Sequence, residues 1–308
     1  MIEETLKFKA SDGQEIYAYN WCPEDGDIKG IVQIAHGMAE ASYRYKRFAK
    51  ELVSQGYIVY ANDHRGHGNT AASIDELGYL GPDGFTRMVE DMKEFTDFIQ
   101  DKENKELPLF LFGHSMGSFL AQYYISLYGN NIQGVILSGT SGDQGPILNI
   151  GIHMAKKEVA KKGPKTRSPR LNDLSFGSYN KKFKPSRTDF DWLSRDEKEV
   201  DKYIEDPYCG GIFTTSFYYD FFRGLKETSK KSNVEKVPKN LPIYIFSGDK
   251  DPVGNMGKGV LKLVKAYQNI GIKDLEYKLY KDGRHEMLNE LNRDEVMEDA
   301  VNWLNKHI

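Results

Sequence analysis

The chain has 308 residues, with 42 Lys plus Arg against 45 Asp plus Glu and a formal net charge of −3. That balance gives no global electrostatic reason to bind nucleic acid, and the length is enough to bury a large core. No run approaches the roughly 18 apolar residues of a membrane span, and the first ten residues lack the apolar core of a signal peptide, so a soluble cytoplasmic protein is expected.

Short apolar runs alternate with helical patterns, which predicts an α/β fold with a mostly parallel central sheet flanked by helices. Residues 5–9 and 15–21 flank the turn Ser11-Asp12-Gly13 and read as an opening hairpin. The only cysteines, Cys22 and Cys209, are far apart, lack metal-binding spacing and read as free thiols. Residues 30–35, 57–61, 109–112, 135–138 and 243–247 are compact apolar runs suited to buried strands. Phe85, Met88, Val89, Met92, Phe95, Phe98 and Ile99 fall on one face of a helix. The alternation at 275–280 reads as a late edge strand. Asn292 and Glu295 then form a capping pair before a helix that buries Val296, Ala300, Trp303 and Leu304.

Residues 140–236 lose this rhythm and become charged, aromatic and rich in Gly and Pro. The stretch is too long for an ordinary loop. It reads as a cap, or lid, inserted over the carboxyl edge of the sheet, where open α/β sheets bind ligands, with 1–139 and 237–308 as the core.

Gly113-His114-Ser115-Met116-Gly117 follows the buried run 109–112 and precedes an apolar helix containing Phe119, Leu120, Tyr123, Tyr124 and Leu127. Strand, Gly-x-Ser-x-Gly and helix together form the pattern of a nucleophile elbow. Glycine's missing Cβ lets strand and helix pack closely, and the serine projects at a helix N-terminus where backbone N–H groups stabilise negative charge. Ser115 is therefore the candidate nucleophile.

A serine hydroxyl needs a base, usually histidine. Of seven histidines, only His285 lies on a loop after the last strand, where this fold places the base; His36, His64, His67 and His114 adjoin earlier strands, His153 lies in the insertion and His307 at the end. The acid belongs after the preceding strand, where both Asp249 and Asp251 stand. A buried carboxylate there would fix the imidazole tautomer. After residues 30–35, the His36-Gly37-Met38 turn is placed to supply one oxyanion amide and the residue after the nucleophile the other, which nominates Met38 and Met116. His36 reads as a structural residue bonding that loop.

His36-Gly37-Met38-Ala39-Glu40, Asp63-His64-Arg65-Gly66-His67-Gly68, the Ser115 motif, residues 248–253 and Arg284-His285-Glu286 occur in order along nearly the whole chain. Together they resemble the monoacylglycerol lipase and lysophospholipase group of α/β-hydrolases. The resemblance implies an ester hydrolase without metal or organic cofactor, acting on a small lipid ester. It also implies Asp251 as the acid, three residues after the glycine ending its strand, and Pro252 agrees by favouring extended backbone before it. Glu40 and Arg44 match two positions of that family's polar head-group pocket, or pair as i and i+4 on a helix. The third position, a histidine in the family, is Leu288 here, and the family's His-Ser after the glutamate is Ala41-Ser42. These departures leave hydrolysis intact and weaken the case for monoacylglycerol in particular. Asp63 to Gly68 reads as a structural loop near the site. Alternatives are a carboxylesterase, thioesterase or small-amide hydrolase, or a ligand receptor on the same scaffold with little turnover.

In the insertion, Phe213, Phe217 and Phe221 recur every four residues and predict an aromatic helix face, either packing the cap or lining an acyl pocket. Residues 156–187 hold eleven Lys or Arg against Glu158 and Asp173, a local charge of +9. That segment is either a solvated loop or a surface attracted to anionic lipid or a phosphate head group.

Overall fold

The computed structural model describes all 308 residues. Its eight strands are β1 (Ile2–Lys9), β2 (Glu15–Cys22), β3 (Gly30–Ala35), β4 (Tyr57–Asn62), β5 (Leu109–His114), β6 (Gly134–Ser138), β7 (Ile243–Gly248) and β8 (Leu275–Tyr280). They form one sheet in the order β1-β2-β4-β3-β5-β6-β7-β8, antiparallel from β1 to β4 and parallel from β4 onward. Every residue of β3 to β7 is buried, which is why these strands appear in sequence as unbroken apolar runs. β8 closes the edge and is only partly covered.

Alternate residues of β5 feed two cores. Leu109 and Leu111 join Met88, Met92, Phe95, Leu120 and Ile125 on one side. Phe110 and Phe112 join Phe48, Leu52, Val296, Trp303 and Leu304 on the other. The first core is covered by α2 (Gly84–Lys102) and α3 (Met116–Tyr128), the second by α1 (Lys46–Ser54), which precedes them, and by the C-terminal helix Arg293–Lys306. Phe98, expected on the buried face of α2, is only partly buried at its margin. Asn292 stands at the N-cap of the C-terminal helix, but its side chain donates to Glu295 Oε2 (2.9 Å) and not to the helix backbone. From β3 the chain passes to β4 on one side, and β5 then returns to pair with β3 on the other. That reversal opens a crevice at the carboxyl ends of β3 and β5, where doubly wound sheets bind ligands.

Between β6 and β7 the chain contains no strand and five α-helices: α4 (Ile147–Lys162), α5 (Pro169–Phe176), α6 (Glu197–Glu205), α7 (Thr215–Thr228) and α8 (Lys231–Val234), with a short 3-10 turn at Tyr179–Lys182. A lone antiparallel bridge joins Arg167 and Thr214. α7 starts two residues later than the aromatic spacing suggests. Thr214 caps it by accepting from the Phe217 amide, so Phe213 lies before the helix and packs edge-on against Phe217, with ring centroids 4.6 Å apart. Two glycines let α7 pack closely. Gly151 of α4 faces the Phe222 ring, and Gly224 of α7 lies flat on Phe85 of α2, with no space for a Cβ.

Gly224→Ala tests that contact because two effects oppose each other. Helix propensity alone would favour alanine by about 1 kcal/mol. The added methyl would overlap the base of the buried Phe85 ring, so we expect a net loss of about 1–3 kcal/mol. The measurement is the urea midpoint at unchanged slope; a raised midpoint would mean that α7 and α2 can separate freely.

Candidate active site

Ser115 occupies the sharp turn between β5 and α3 with φ 51° and ψ −119°, a region that a residue with a Cβ rarely adopts. Its amide donates to the Ser138 carbonyl on β6 (2.9 Å), and its carbonyl accepts from the Ser118 amide (2.9 Å) and hydroxyl (2.6 Å). Glycines flank the turn by necessity. A Cβ at Gly113 would meet the Gly117 carbonyl oxygen at 2.5 Å, and one at Gly117 would overlap the Ala35 carbonyl at the end of β3. Met116 is the first residue of α3, so its amide has no partner within the helix.

His285 follows β8 and is 2% exposed, and Asp251 follows β7 and is fully buried. Ser115 Oγ lies 2.9 Å from His285 Nε2, and His285 Nδ1 lies 3.0 Å from Asp251 Oδ1. Asp251 also accepts from the Ser247 hydroxyl (2.8 Å) and the Val253 amide (2.9 Å). Burial alone would raise the Asp251 pKa, but the His285 charge and these hydrogen bonds override it and the net shift is downward. Burial alone would lower His285, and the Asp251 charge and hydrogen bond override that too, leaving it above its ordinary value. Asp249 takes no part. Its carboxylate accepts from the Asp282 amide (2.8 Å) and pairs with Lys250 in an exposed turn.

Burial holds His36, His64, His67 and His114 neutral. His114 packs 4.7 Å from the His285 ring, centroid to centroid, and burial with the charge of His285 pushes it down to about 4. His36 donates from Nδ1 to the Gly37 carbonyl (2.7 Å) and accepts at Nε2 from the His64 amide (2.9 Å), which fixes one neutral tautomer and braces the loop after β3. Asp63 braces the same region by accepting from the Ser42 amide (2.8 Å) and hydroxyl (2.6 Å) and the Asn69 amide (2.8 Å).

Met38 and Ala39 line the crevice beside Ser115, and the loop holding them is locked by Glu40. Glu40 Oε1 accepts from the Gly37 amide and from the Tyr45 hydroxyl (2.8 Å), and Oε2 accepts from Arg44. Arg44 also donates to both oxygens of Glu286, at 2.8 and 2.7 Å. Both readings of the Glu40–Arg44 pair are thus incomplete. The i,i+4 pair exists, but it is half of a buried bridge reaching Glu286, the neighbour of His285. Glu40 and Glu286 reach the wall of the crevice, whereas Arg44 lies behind it. Arg44 shares a small recess of about 20 Å³ with Leu288, the residue that departs from the family pattern. Arg44 holds Glu286 well below the usual carboxylate range, against the effect of burial.

The crevice widens into a cavity of about 720 Å³ between the sheet edge and the insertion. Of the three phenylalanines expected as pocket residues, only Phe221 lines it. Phe213 and Phe217 are buried against the His67 ring, at centroid distances of 4.9 and 6.2 Å, and serve packing. The helical spacing holds for Phe217 and Phe221, and the two expected roles divide, with Phe213 and Phe217 packing and Phe221 lining the cavity. Phe222 and Leu225 line the cavity instead, with Leu148 from α4. Sequence reading also missed the segment 190–196. The Trp192 ring lies 5.0 Å from His285, its carbonyl accepts from the His285 amide (3.4 Å), and the Leu193 carbonyl accepts from the Glu286 amide (2.7 Å). Arg284 donates to the Asp191 and Ser194 carbonyls, and buried Glu290 accepts from Arg195 Nε (2.8 Å) and the Arg284 amide (3.0 Å). The isolated tryptophan gave no periodic signal; only the fold brings it to the histidine.

The geometry has counterparts in known proteins. The family model described as "Serine aminopeptidase, S33" matches residues 26–292. Monoacylglycerol lipase of Mycolicibacterium smegmatis is 27% identical over 98% of this chain and 96% of its own length. Phospholipase YtpA of Bacillus subtilis is 23% identical over 90% of this chain and 96% of its own. Among solved structures, a thermostable carboxyl esterase from Bacillus coagulans in complex with glycerol superposes with a TM-score of 0.92 at 30% identity, covering 100% of this chain and 99% of that one. The family match spans most of the chain and the sheet, elbow and crevice agree with it, so the protein belongs to the α/β-hydrolase family carrying the S33 description.

Proposed function

We propose that the protein is a serine hydrolase that cleaves carboxylic esters with an apolar acyl chain, of monoacylglycerol lipase or lysophospholipase type, through an acyl-enzyme. The observation that carries this reading is the hydrogen-bonded chain Ser115–His285–Asp251 opening into a 720 Å³ cavity with largely apolar walls. Relatives named monoacylglycerol lipase and phospholipase support a lipid ester as substrate.

In this mechanism His285 Nε2 takes the Ser115 proton as Oγ attacks the ester carbonyl carbon. Asp251 holds the proton on Nδ1, so Nε2 faces Ser115 as an acceptor, and stabilises the imidazolium that forms. The Met38 and Met116 amides donate to the carbonyl oxygen as it gains charge. The tetrahedral species collapses, His285 returns the proton to the departing alcohol, and the acyl group stays on Ser115. A water, deprotonated by His285, then attacks the acyl carbon, and as the bond to Ser115 Oγ breaks His285 returns that proton to Oγ and the acid is freed. Glu40 and Glu286, at the cavity wall, offer acceptors to hydroxyls of the alcohol portion, and Arg44 fixes both from behind. The acyl chain lies along Phe221, Phe222 and Leu225.

Ser115→Ala should lower ester turnover by several orders of magnitude while the circular dichroism spectrum is unchanged. A folded Ser115→Ala protein retaining a few per cent of wild-type kcat would end the proposal. A hydrolysis screen across acyl lengths and head groups then selects between monoacylglycerol and lysophospholipid.

The two aspartates separate cleanly. Asp251→Asn should lower kcat by about 10⁴, the size of effect a wrong imidazole tautomer has in a serine protease. Asp249→Asn keeps an oxygen for the Asp282 amide and should change kcat by less than about tenfold. The reverse ranking on a soluble ester would move the acid to Asp249.

The pH profile carries a sign. The base works only as neutral imidazole, and the Asp251 charge holds His285 above its ordinary 6.5. Wild-type kcat/KM should therefore fall as pH drops through a value above 6.5. In Asp251→Asn burial acts without the opposing charge, so the residual activity should lose its acid limb toward lower pH. An acid limb that stays in place would assign it to another group.

A further inference from the structure

We propose that the face of the insertion around the cavity mouth docks on a bilayer surface carrying anionic headgroups, with the cavity opening toward the lipid. Ile147, Ile150 and Leu174 line the cavity and yet are 62%, 59% and 42% exposed, which places them on its rim. Large apolar side chains gathered at one opening are unusual on a surface that meets only water.

The same helix faces continue as positive charge. On α4, residues 147, 150, 154, 157 and 161 follow helical spacing, so Ile147 and Ile150 share a flank with Lys157 and Lys161. On α5, Arg170 and Leu174 stand four residues apart on one face. All eleven basic residues of 156–187 are exposed. Only Lys162, Lys165 and Arg187 find a carboxylate within ion-pair reach. The chain's −3 thus divides into +9 here and −12 elsewhere. An anionic surface attracts this face and repels the remainder of the molecule, so charge selects the one orientation that presents the rim to lipid. The rim side chains then enter the headgroup region, as apolar residues of amphipathic surface helices do. Phosphate-bearing bilayers supply the complementary charge, and attraction acts within about 8 Å at physiological ionic strength. No helix of the chain is long and apolar enough to cross a membrane, so docking is peripheral.

The inference deepens the lipid-ester reading by naming where substrate is met, but its test does not depend on turnover. The full chain carrying Ser115→Ala is sedimented with phosphatidylcholine vesicles and with vesicles containing phosphatidylglycerol, at low and high salt. The expected result is at least about tenfold stronger partitioning onto the anionic vesicles, fading with salt. Reversing charge in Lys157→Glu/Lys161→Glu/Arg170→Glu should remove that preference, and the milder Gln variants should reduce it to an intermediate value. Folding is checked by unchanged turnover of a soluble ester when the reversals are placed on the wild-type background. Equal binding to both vesicle types, or a triple variant that binds as before, would overturn the proposal. Salt-sensitive self-association without vesicle preference would overturn it too, by showing that the basic face meets the acidic remainder of a second copy.

Discussion

The site depends on one close approach. The first turn of α3 lies so near the end of β3 that residue 117 has no room for a Cβ against the Ala35 carbonyl. That contact draws two parallel strands, the helix N-terminus and the loop after β3 into one corner. Ser115 then sits in a left-handed conformation that ordinary loops avoid, held by its amide bond to Ser138 on the neighbouring strand. The strain is offset by the cores on either side of the sheet, to which Leu111 and Phe112 of the same strand belong. The corner also brings Met38 and Met116 to the wall of the cavity beside the serine.

A second layer of order is electrostatic. Glu40, Arg44 and Glu286 form a buried bridge between the loop that bears Met38 and the loop that bears His285. Each loop leads only into a short 3-10 turn, Ser42–Tyr45 after the first and Met287–Asn289 after the second. A buried ion bridge of this kind is a weak source of net stability, because desolvation consumes most of the attraction. It is a strong positional constraint, because a displaced partner leaves a charge stranded in the interior. The guanidinium fork bonds both oxygens of Glu286 and so fixes orientation as well as distance. Burial acts similarly on the histidines at the site, keeping His114 and His36 neutral while His285, hydrogen-bonded to the Asp251 carboxylate, is biased toward accepting a proton.

The insertion contributes to this order at one place and leaves freedom at another. Its segment 190–196 hydrogen-bonds to the backbone of 284–286, so part of the covering layer belongs structurally to the histidine loop. α4 and α5 touch the core mainly through α7 and leave apolar side chains exposed at the cavity rim. A layer anchored beside the reacting groups and open at its far edge suits a substrate with a polar end to be fixed and a chain to be admitted.

Sequence by itself determined the sheet, the elbow and the order of the proposed triad. Strands buried on both faces must be unbroken apolar runs, Gly-x-Ser-x-Gly after such a run meets a steric requirement visible in the residues, and chain order places an acid, Asp249 or Asp251, and then His285 after later strands. These are local constraints, written in neighbouring positions. Tertiary structure decided whatever depends on direction and distance across the fold. The period of Phe213, Phe217 and Phe221 was legible, but which of them met solvent, core or cavity depended on how α7 lies against α2 and His67. Glu40 and Arg44 were legible as a pair, but Glu286, 242 residues beyond Arg44, became their partner only because two loops converge at one sheet edge. Trp192 reached His285 for the same reason. A side chain's long-range partner is set by backbone packing, and no local pattern records it.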